Sequence, residues 1–526
     1  MRPRLSTIGA TAIALAVLAL VVYGRHLGGE FVWDDYYLIE KNPLVLSSAG
    51  WRGLLVTDLW EGAGQYLSRL YHPLPMLTLW LQVHTTGLAM VPLRLANVAI
   101  HVANAWLFFR LLLRGNARPA VASAMALLFA VHPLAVEPAM WLTGRHDTLA
   151  VLLGLAGLHA CADLAKSRWR YAALGITAAG AFASKEPYVV LPAIYFAYAL
   201  LVARDGFVRA LAAGAAGAAG AGLVFAIRAH LGIPSVGGLP GVPIVEHLRT
   251  YGTLAGVYGG YALALTAGAT TRAYVGWSLG AALSVTAAVI GAELAALWRW
   301  QKGSRAAGRV AFGVAWFAIA LTPHVASTPL LGALANRYGY FALLGGLYAT
   351  CPLIEELARV SPRLERLVTG ACFAPVLVAA ALSSGMASLW RSDLILFGAD
   401  YAENPDDPQT LYYLGCALER RAGCGKAVGY FQRAVEVAPA MGRAQQNLAA
   451  CLVGLGRAAE AVGPAQEATR ELPSADNLYN LALALEGAGR IDEATQAAEQ
   501  GVLVAPGDGR FGQILARLRG NLPRLE

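Results

Sequence analysis

The run Ile8-Gly-Ala-Thr-Ala-Ile-Ala-Leu-Ala-Val-Leu-Ala-Leu-Val-Val22 decides how this chain has to be read, because it carries no charge and a single hydroxyl. It is long enough to cross most of a bilayer's hydrocarbon core. In that medium a helix alone satisfies its own backbone without closing into a barrel. The rest of the chain repeats the pattern: of 526 residues, 57% are hydrophobic and 14% charged. No soluble protein of this size needs such a balance. The expected fold class is all-α, a polytopic membrane helix bundle. The net charge of +8 needs no nucleic acid as partner, since Arg and Lys gathered in short loops are what orients membrane helices.

Arg2 and Arg4 precede the first run, which puts the N-terminus in the cytoplasm and the following loop outside. A cleaved signal peptide fits less well, because no small-residue cleavage site follows and more spans come after. A moderately apolar piece at 73–83 is too short to span and reads as an interfacial helix, inside a first outer loop of about residues 24–93. Further spans are expected at 95–113, 121–131, 148–164, 171–183, 188–202, 211–227, 277–298, 311–321, 338–354 and 367–382. This assignment leaves Arg110, Arg114 and Arg118 inside, with Lys166, Arg168 and Arg170, and then Arg204 and Arg209. The Gly-rich stretch 251–267 is read as re-entrant or interfacial, since a full crossing would carry Arg299, Lys302, Arg305 and Arg309 outside. About eleven crossings result, and the odd number leaves the C-terminal part outside.

That C-terminal part changes composition near Pro408. Leu411, Leu414, Gly415, Leu418, Ala427, Phe431, Ala434 and Pro439 occupy the spacing of a tetratricopeptide repeat. Leu448, Ala449, Leu452, Ala461, Ala465, Ala468 and Pro473 repeat it, as do Leu478, Leu481, Ala482, Leu485, Ala494, Ala498 and Pro506. The expected domains are a membrane domain at 1–390, a linker at 391–407, and an α-solenoid at 408–522 whose stack is capped by 511–518. Such a solenoid suits an extended peptide, a spacer or a dimer contact. Cys161, Cys351 and Cys372 fall in apolar segments, and Cys416, Cys424 and Cys451 stand at no metal-ligand spacing, so no disulfide framework is expected.

Directly after the first span comes Glu30-Phe-Val-Trp-Asp-Asp-Tyr-Tyr37, two adjacent carboxylates among aromatic residues at the lipid–water boundary. Under this topology the same outer face collects His72, then His132, Glu137, Arg145, His146 and Asp147, then Lys185 and Glu186, and finally His324, Asn336 and Arg337. Any one of these alone reads as a solvated charge or an internal ion pair. Their accumulation on one face marks a candidate site, because ionisable groups beside apolar spans are costly to keep. Asp34 and Asp35 are also open to a divalent metal ion, though adjacency supplies few ligands. Trp33, Tyr36 and Trp141 could stack on sugar or lipid, or anchor the interface.

The segments Phe31-Val-Trp-Asp-Asp35, Tyr71-His-Pro-Leu74, Val131-His-Pro-Leu-Ala-Val-Glu137, Trp141-Leu-Thr-Gly-Arg-His-Asp147, Ser184-Lys-Glu-Pro187 and Asn336-Arg-Tyr338, followed by the repeats, resemble the transmembrane and tetratricopeptide-repeat O-mannosyltransferases and their bacterial relatives. The resemblance implies a GT-C glycosyltransferase of the inner (cytoplasmic) membrane. Its donor would be a polyprenyl-phosphate sugar, mannose among the candidates, and its acceptor a Ser or Thr of an exported protein. Asp34 or Asp35 would take the acceptor's proton as it attacks with inversion. Arg145 is the first choice to neutralise the lipid phosphate, followed by Arg337 and Lys185. Asp147 and Glu137 would orient these cations or bind sugar hydroxyls, and His72, His132, Glu186, Asn336 and Tyr338 complete the substrate face. His72 departs from the family, where Arg commonly precedes the Pro-Leu. An enzyme acting on a lipid or surface glycan, and a membrane-anchored scaffold without catalysis, are the competing readings.

Overall fold

The structure is a computed structural model that describes residues 5–63, 68–162, 164, 167–234, 242–268, 272–331 and 333–520. Arg2, Arg4 and Lys166, three of the charges used for orientation, lie outside the described residues. The described chain is all-α in architecture and forms two units, one of residues 1–270 and 274–392 and the other chiefly of residues 393–526.

In the first unit, eight helices among the described residues are long and apolar enough to cross a membrane: Thr7–His26, Met90–Arg114, Glu186–Ala203, Phe207–His230, Leu279–Gln301, Arg305–Thr328, Asn336–Ala358 and Pro362–Leu389. The count reaches nine if Pro119–Ala130 and Pro133–Met140, bent by 56°, form one span. This corrects the expectation of about eleven. The stretch 121–131 is a helix of only 12 residues, Pro119–Ala130, and His132 directly after it caps a new helix by accepting from the Leu134 N–H, with Pro133 at its first position. The stretches at 148–164 and 171–183 become helices of 17 and 14 residues; the second is about 21 Å long at 1.5 Å per residue, short of a ~30 Å core. Most of the 251–267 region belongs to one helix, Ile244–Ala264, which carries Glu246 and Arg249 and is not among the candidates. The short piece at 73–83 lies in a 14-residue helix, Pro73–Thr86.

Two features knit this unit. Glycine lets backbones touch: a Cβ on Gly220 would lie 1.9 Å from the Gly175 carbonyl, and one on Gly345 would lie 2.5 Å from the Phe317 nitrogen. Close approach of this kind replaces the hydrophobic effect as the source of helix association in lipid. The second is a polar spine on the Met90–Arg114 helix, where Arg94, Asn97, His101 and Asn104 share one face and are fully buried. Arg94 donates to the carbonyls of His26, Gly28 and Glu30, and to that of Trp390. Asn97 donates to Trp141 O and Leu142 O at 2.7 and 3.1 Å. His101 bridges Ala130 O and the Tyr340 hydroxyl, and Asn104 donates to Thr148 O. Arg94 and Asn97 thereby fasten loop carbonyls, and His101 and Asn104 fasten neighbouring helices.

In the second unit, three helix pairs follow the repeat spacing: Pro408–Ala422 with Cys424–Val437, Gly442–Gly454 with Ala458–Glu471, and Ala475–Gly487 with Ile491–Val504, capped by Gly509–Leu518. Small residues receive large ones across the stack, so a Cβ on Gly415 would meet the Phe431 ring at 2.6 Å. Two expectations change. Much of the stretch 391–407 is helical rather than a linker: Asp393–Glu403 packs on the first repeat, with Phe397 stacked on Tyr413 at 5.0 Å and Asp393 paired to Arg420. Cys424 and Cys451, expected to be unpaired, form a disulfide across 27 residues. Stacking of consecutive repeats brings the two sulfurs together, which linear spacing does not show.

Candidate functional site

Trp33 adopts a left-handed backbone, φ 60°, a conformation that a bulky residue holds only when its surroundings dictate it. Its ring stacks on Trp141, 5.0 Å between centroids and 19° apart, and the Trp141 indole donates to Val32 O. This turn sends the two acids that follow to different places. Asp35 is fully buried: its Oδ1 accepts from the Thr143 N–H at 2.9 Å and the Thr143 hydroxyl at 2.7 Å, and its Oδ2 from the Leu142 N–H at 3.4 Å. Burial raises its pKa to about 7, against the opposing pull of the Thr143 bonds and of the Arg94 charge. Asp34 is half-buried, and its carbonyl opens the next turn by accepting from the Tyr37 and Leu38 N–H groups. Asn97 holds the carbonyls of Trp141 and Leu142 while Asp35 holds the N–H groups of Leu142 and Thr143, so this short segment is clamped from both sides.

The segment 137–147 and three distant loops then meet in one cluster. Glu137, buried, accepts from Arg337 at 2.5 Å, and the Arg337 guanidinium lies 5.3 Å from each of the Trp33, Trp141 and Tyr338 rings. Tyr338 in turn stacks on His324 at 4.2 Å. Lys185 pairs with Asp147 at 2.5 Å. Glu186 pairs with His72 and with Arg228, the latter at 3.3 Å, and accepts the Tyr71 N–H at 2.9 Å. His72 and His146 meet edge to face with 4.8 Å between centroids. Arg145 is buried and donates to neutral acceptors, Asn97 at 2.6 Å, Gln82 at 2.7 Å and Leu93 O at 3.1 Å.

Two of the expected residues serve the framework. His132 caps a helix and approaches Ala262 O at 3.4 Å, and Asn336 exchanges two hydrogen bonds with the Gly268 backbone. The Asp35 oxygens already face three donors, which leaves the acidic pair ill-suited as a metal ligand set; among the described residues the pair belongs to no group of three such side chains close enough to hold an ion. Sequence reasoning missed Arg94, Asn97, Gln82, Thr143 and Arg228. Asn97 stands inside the span expected at 95–113 and Arg94 one residue before it, and polar groups at helical spacing on an apolar span are the signal that could have found them.

The fold and the cluster together define a polytopic all-α membrane protein with an ion-paired site inside its membrane unit and a tetratricopeptide-repeat array. No family model matches the chain. Over 155 residues, 29% of this chain, it is 36% identical to the human protein O-mannosyl-transferase TMTC1, covering 18% of that protein. It is 30% identical over 149 residues to human protein O-mannosyl-transferase TMTC2, and 27% identical over 157 residues to the Caenorhabditis elegans protein O-mannosyl-transferase F38B6.6, covering 17% and 22% of those proteins. The chain thus matches about a fifth of these relatives' length. Among solved structures, the repeat protein YrrB shows 19% identity and a TM-score of 0.23 over 31% of this chain and 89% of its own, and yeast Tom70 12% and 0.22 over 76% and 92%.

Proposed function

We propose that the chain is a membrane glycosyltransferase that moves a sugar, mannose foremost, from a polyprenyl-phosphate donor to a Ser or Thr hydroxyl of an exported protein, with inversion. The observation that carries this reading is the convergence of the acidic turn with Glu137–Arg337 and Asp147–Lys185 inside an apolar helix bundle, and the relatives named as protein O-mannosyl-transferases agree with it. Of the two acids, Asp34 is the base. Asp35 is fully buried and holds the turn in place through Thr143, whereas Asp34 keeps part of its surface exposed. A hydroxyl gives up its proton to Asp34 as its oxygen attacks the anomeric carbon, and the bond to the phosphate breaks on the opposite side. Arg145 bonds to neutral acceptors, so its positive charge remains for the anionic leaving group; Arg337 and Lys185, each already paired with a carboxylate, fix the site's shape.

The N-terminus is cytoplasmic and the repeats lie outside. The Cys424–Cys451 disulfide supports this side for the repeats, since disulfides persist in oxidising compartments. Membranes holding the chain, incubated with a labelled polyprenyl-phosphate sugar, are expected to place label in protein. Label confined to lipid or polysaccharide would reject the acceptor.

A further inference from the structure

We infer that Glu419, Cys424 and Cys451 hold a thiophilic divalent cation, Zn²⁺ foremost, whenever the disulfide between the two cysteines is reduced. One carboxylate oxygen of Glu419 and the two sulfurs all lie within 4.8 Å of one another. The three come from three elements: Glu419 from the helix Pro408–Ala422, Cys424 from Cys424–Val437 and Cys451 from Gly442–Gly454. The site therefore joins both helices of the first repeat to the second repeat. It belongs to the repeat unit alone and does not depend on sugar transfer.

Glu419 is what sets this place apart from a plain structural disulfide. Burial raises its pKa, against the weaker pull of the Arg420 charge, and Arg420 is itself paired with Asp393. A half-buried carboxylate carries a desolvation cost that a neutral disulfide does nothing to offset. A cation held between the carboxylate and two thiolates offsets it. Cys416, the free cysteine on the same helix as Glu419, accepts from the Asn447 amide at 3.2 Å and stands outside the group.

Ligand chemistry selects the ion. Two thiolates with one carboxylate suit Zn²⁺ and its thiophilic analogue Cd²⁺, whereas Mg²⁺ and Ca²⁺ ask for oxygen ligands. Three protein ligands leave the fourth tetrahedral position to water. With Zn–S bonds of ~2.3 Å, tetrahedral geometry sets the two sulfurs ~3.8 Å apart. Rotation of the two side chains supplies that separation across a Cα–Cα distance of 5.1 Å.

The exchange balances. A dithiol reductant gives two electrons and two protons to the disulfide, becoming a disulfide itself and leaving two thiols. Binding of the cation then releases both thiol protons to solvent. The repeats keep a cross-link at this place in either state, covalent when oxidised and coordinate when reduced.

The test uses the purified full chain in detergent, reduced without oxygen by a phosphine, which supplies no competing thiol, and titrated with Cd²⁺ and Zn²⁺. The reduced wild type is expected to take up one Cd²⁺ per chain, read as a thiolate-to-metal charge-transfer band in the ultraviolet, and Zn²⁺ to displace it. Zn²⁺ is also expected to raise the Tm of the repeat transition that reduction lowers, and Mg²⁺ to leave it unchanged. Glu419→Gln keeps the disulfide and is expected to weaken Zn²⁺ at least tenfold in the reduced chain. Cys451→Ser is expected to abolish the band and Cys416→Ser to retain it. If Glu419→Gln does not fold, Glu419→Ala must weaken Zn²⁺ in the same way. Equal Cd²⁺ binding by the oxidised chain, or Zn²⁺ affinity of the reduced Glu419 variant within twofold of wild type, overturns the inference.

Discussion

At the residue scale, the structure separates two neighbours that the sequence could not tell apart. Asp34 and Asp35 are identical in type and adjacent, yet the left-handed Trp33 turns one toward Thr143 and leaves the other at the edge. Nothing in a linear pattern of acids reports a φ of 60° at the residue before them. The buried acid carries a pH signature. Its pKa is raised from the ordinary 3.8 to about 7 by burial, so the folded chain holds a proton that the unfolded chain has released, and folding stability falls as pH rises through that window and stays low above it. Asp35→Asn, which keeps an acceptor for Thr143, is expected to remove this loss. Measured in detergent from pH 4 to pH 8, the wild type's Tm should decline relative to the variant's; a relative rise would contradict the assignment. The cations were legible as types, but their partners were not. Arg145 is the first choice for the lipid phosphate on the resemblance alone, and only the fold shows it bonded to Asn97 and Gln82 on other elements.

At the scale of elements, helices were legible wherever apolar length was sufficient, and less so where proline or a short run intervened. The span expected at 121–131 is a helix of only 12 residues, Pro119–Ala130, about 18 Å long, and His132 and Pro133 start a second helix bent from it by 56°. The repeats were legible almost residue by residue, because their small and large positions recur with the period of the stack. Close packing offers a paired test on one helix. Gly220→Val would push a side chain into the Gly175 carbonyl, whereas Gly222 faces open space. The first is expected to cost about 1–3 kcal/mol by overpacking, read as a lower Tm, and Gly222→Val to leave Tm unchanged; equal effects would refute the glycine contact. In the repeats, Cys424→Ser removes a cross-link spanning 27 residues, for which chain entropy suggests a loss of about 3.5 kcal/mol. Reductant should lower the repeat transition of the wild type and not that of the variant, while Cys416→Ser behaves as wild type.

At the scale of the whole molecule, the fold class was legible in the sequence, and the way the candidate cluster is held together came from the fold. The polar spine of Arg94, Asn97, His101 and Asn104 fastens segments whose sequence separation reaches the far end of the membrane unit at Trp390, and pairings over such distances leave no local trace. The account's central claim is that this architecture serves proton removal by Asp34 during sugar transfer. The most direct measurement is the initial rate of mannose transfer from a synthetic polyprenyl-phosphate mannose to a Ser/Thr peptide by the purified chain, wild type beside Asp34→Asn, with both confirmed folded by an unchanged Tm. A fall of about 10²–10⁴-fold is expected for loss of a general base. Transfer by Asp34→Asn at the wild-type rate, or none by the folded wild type, would contradict the account.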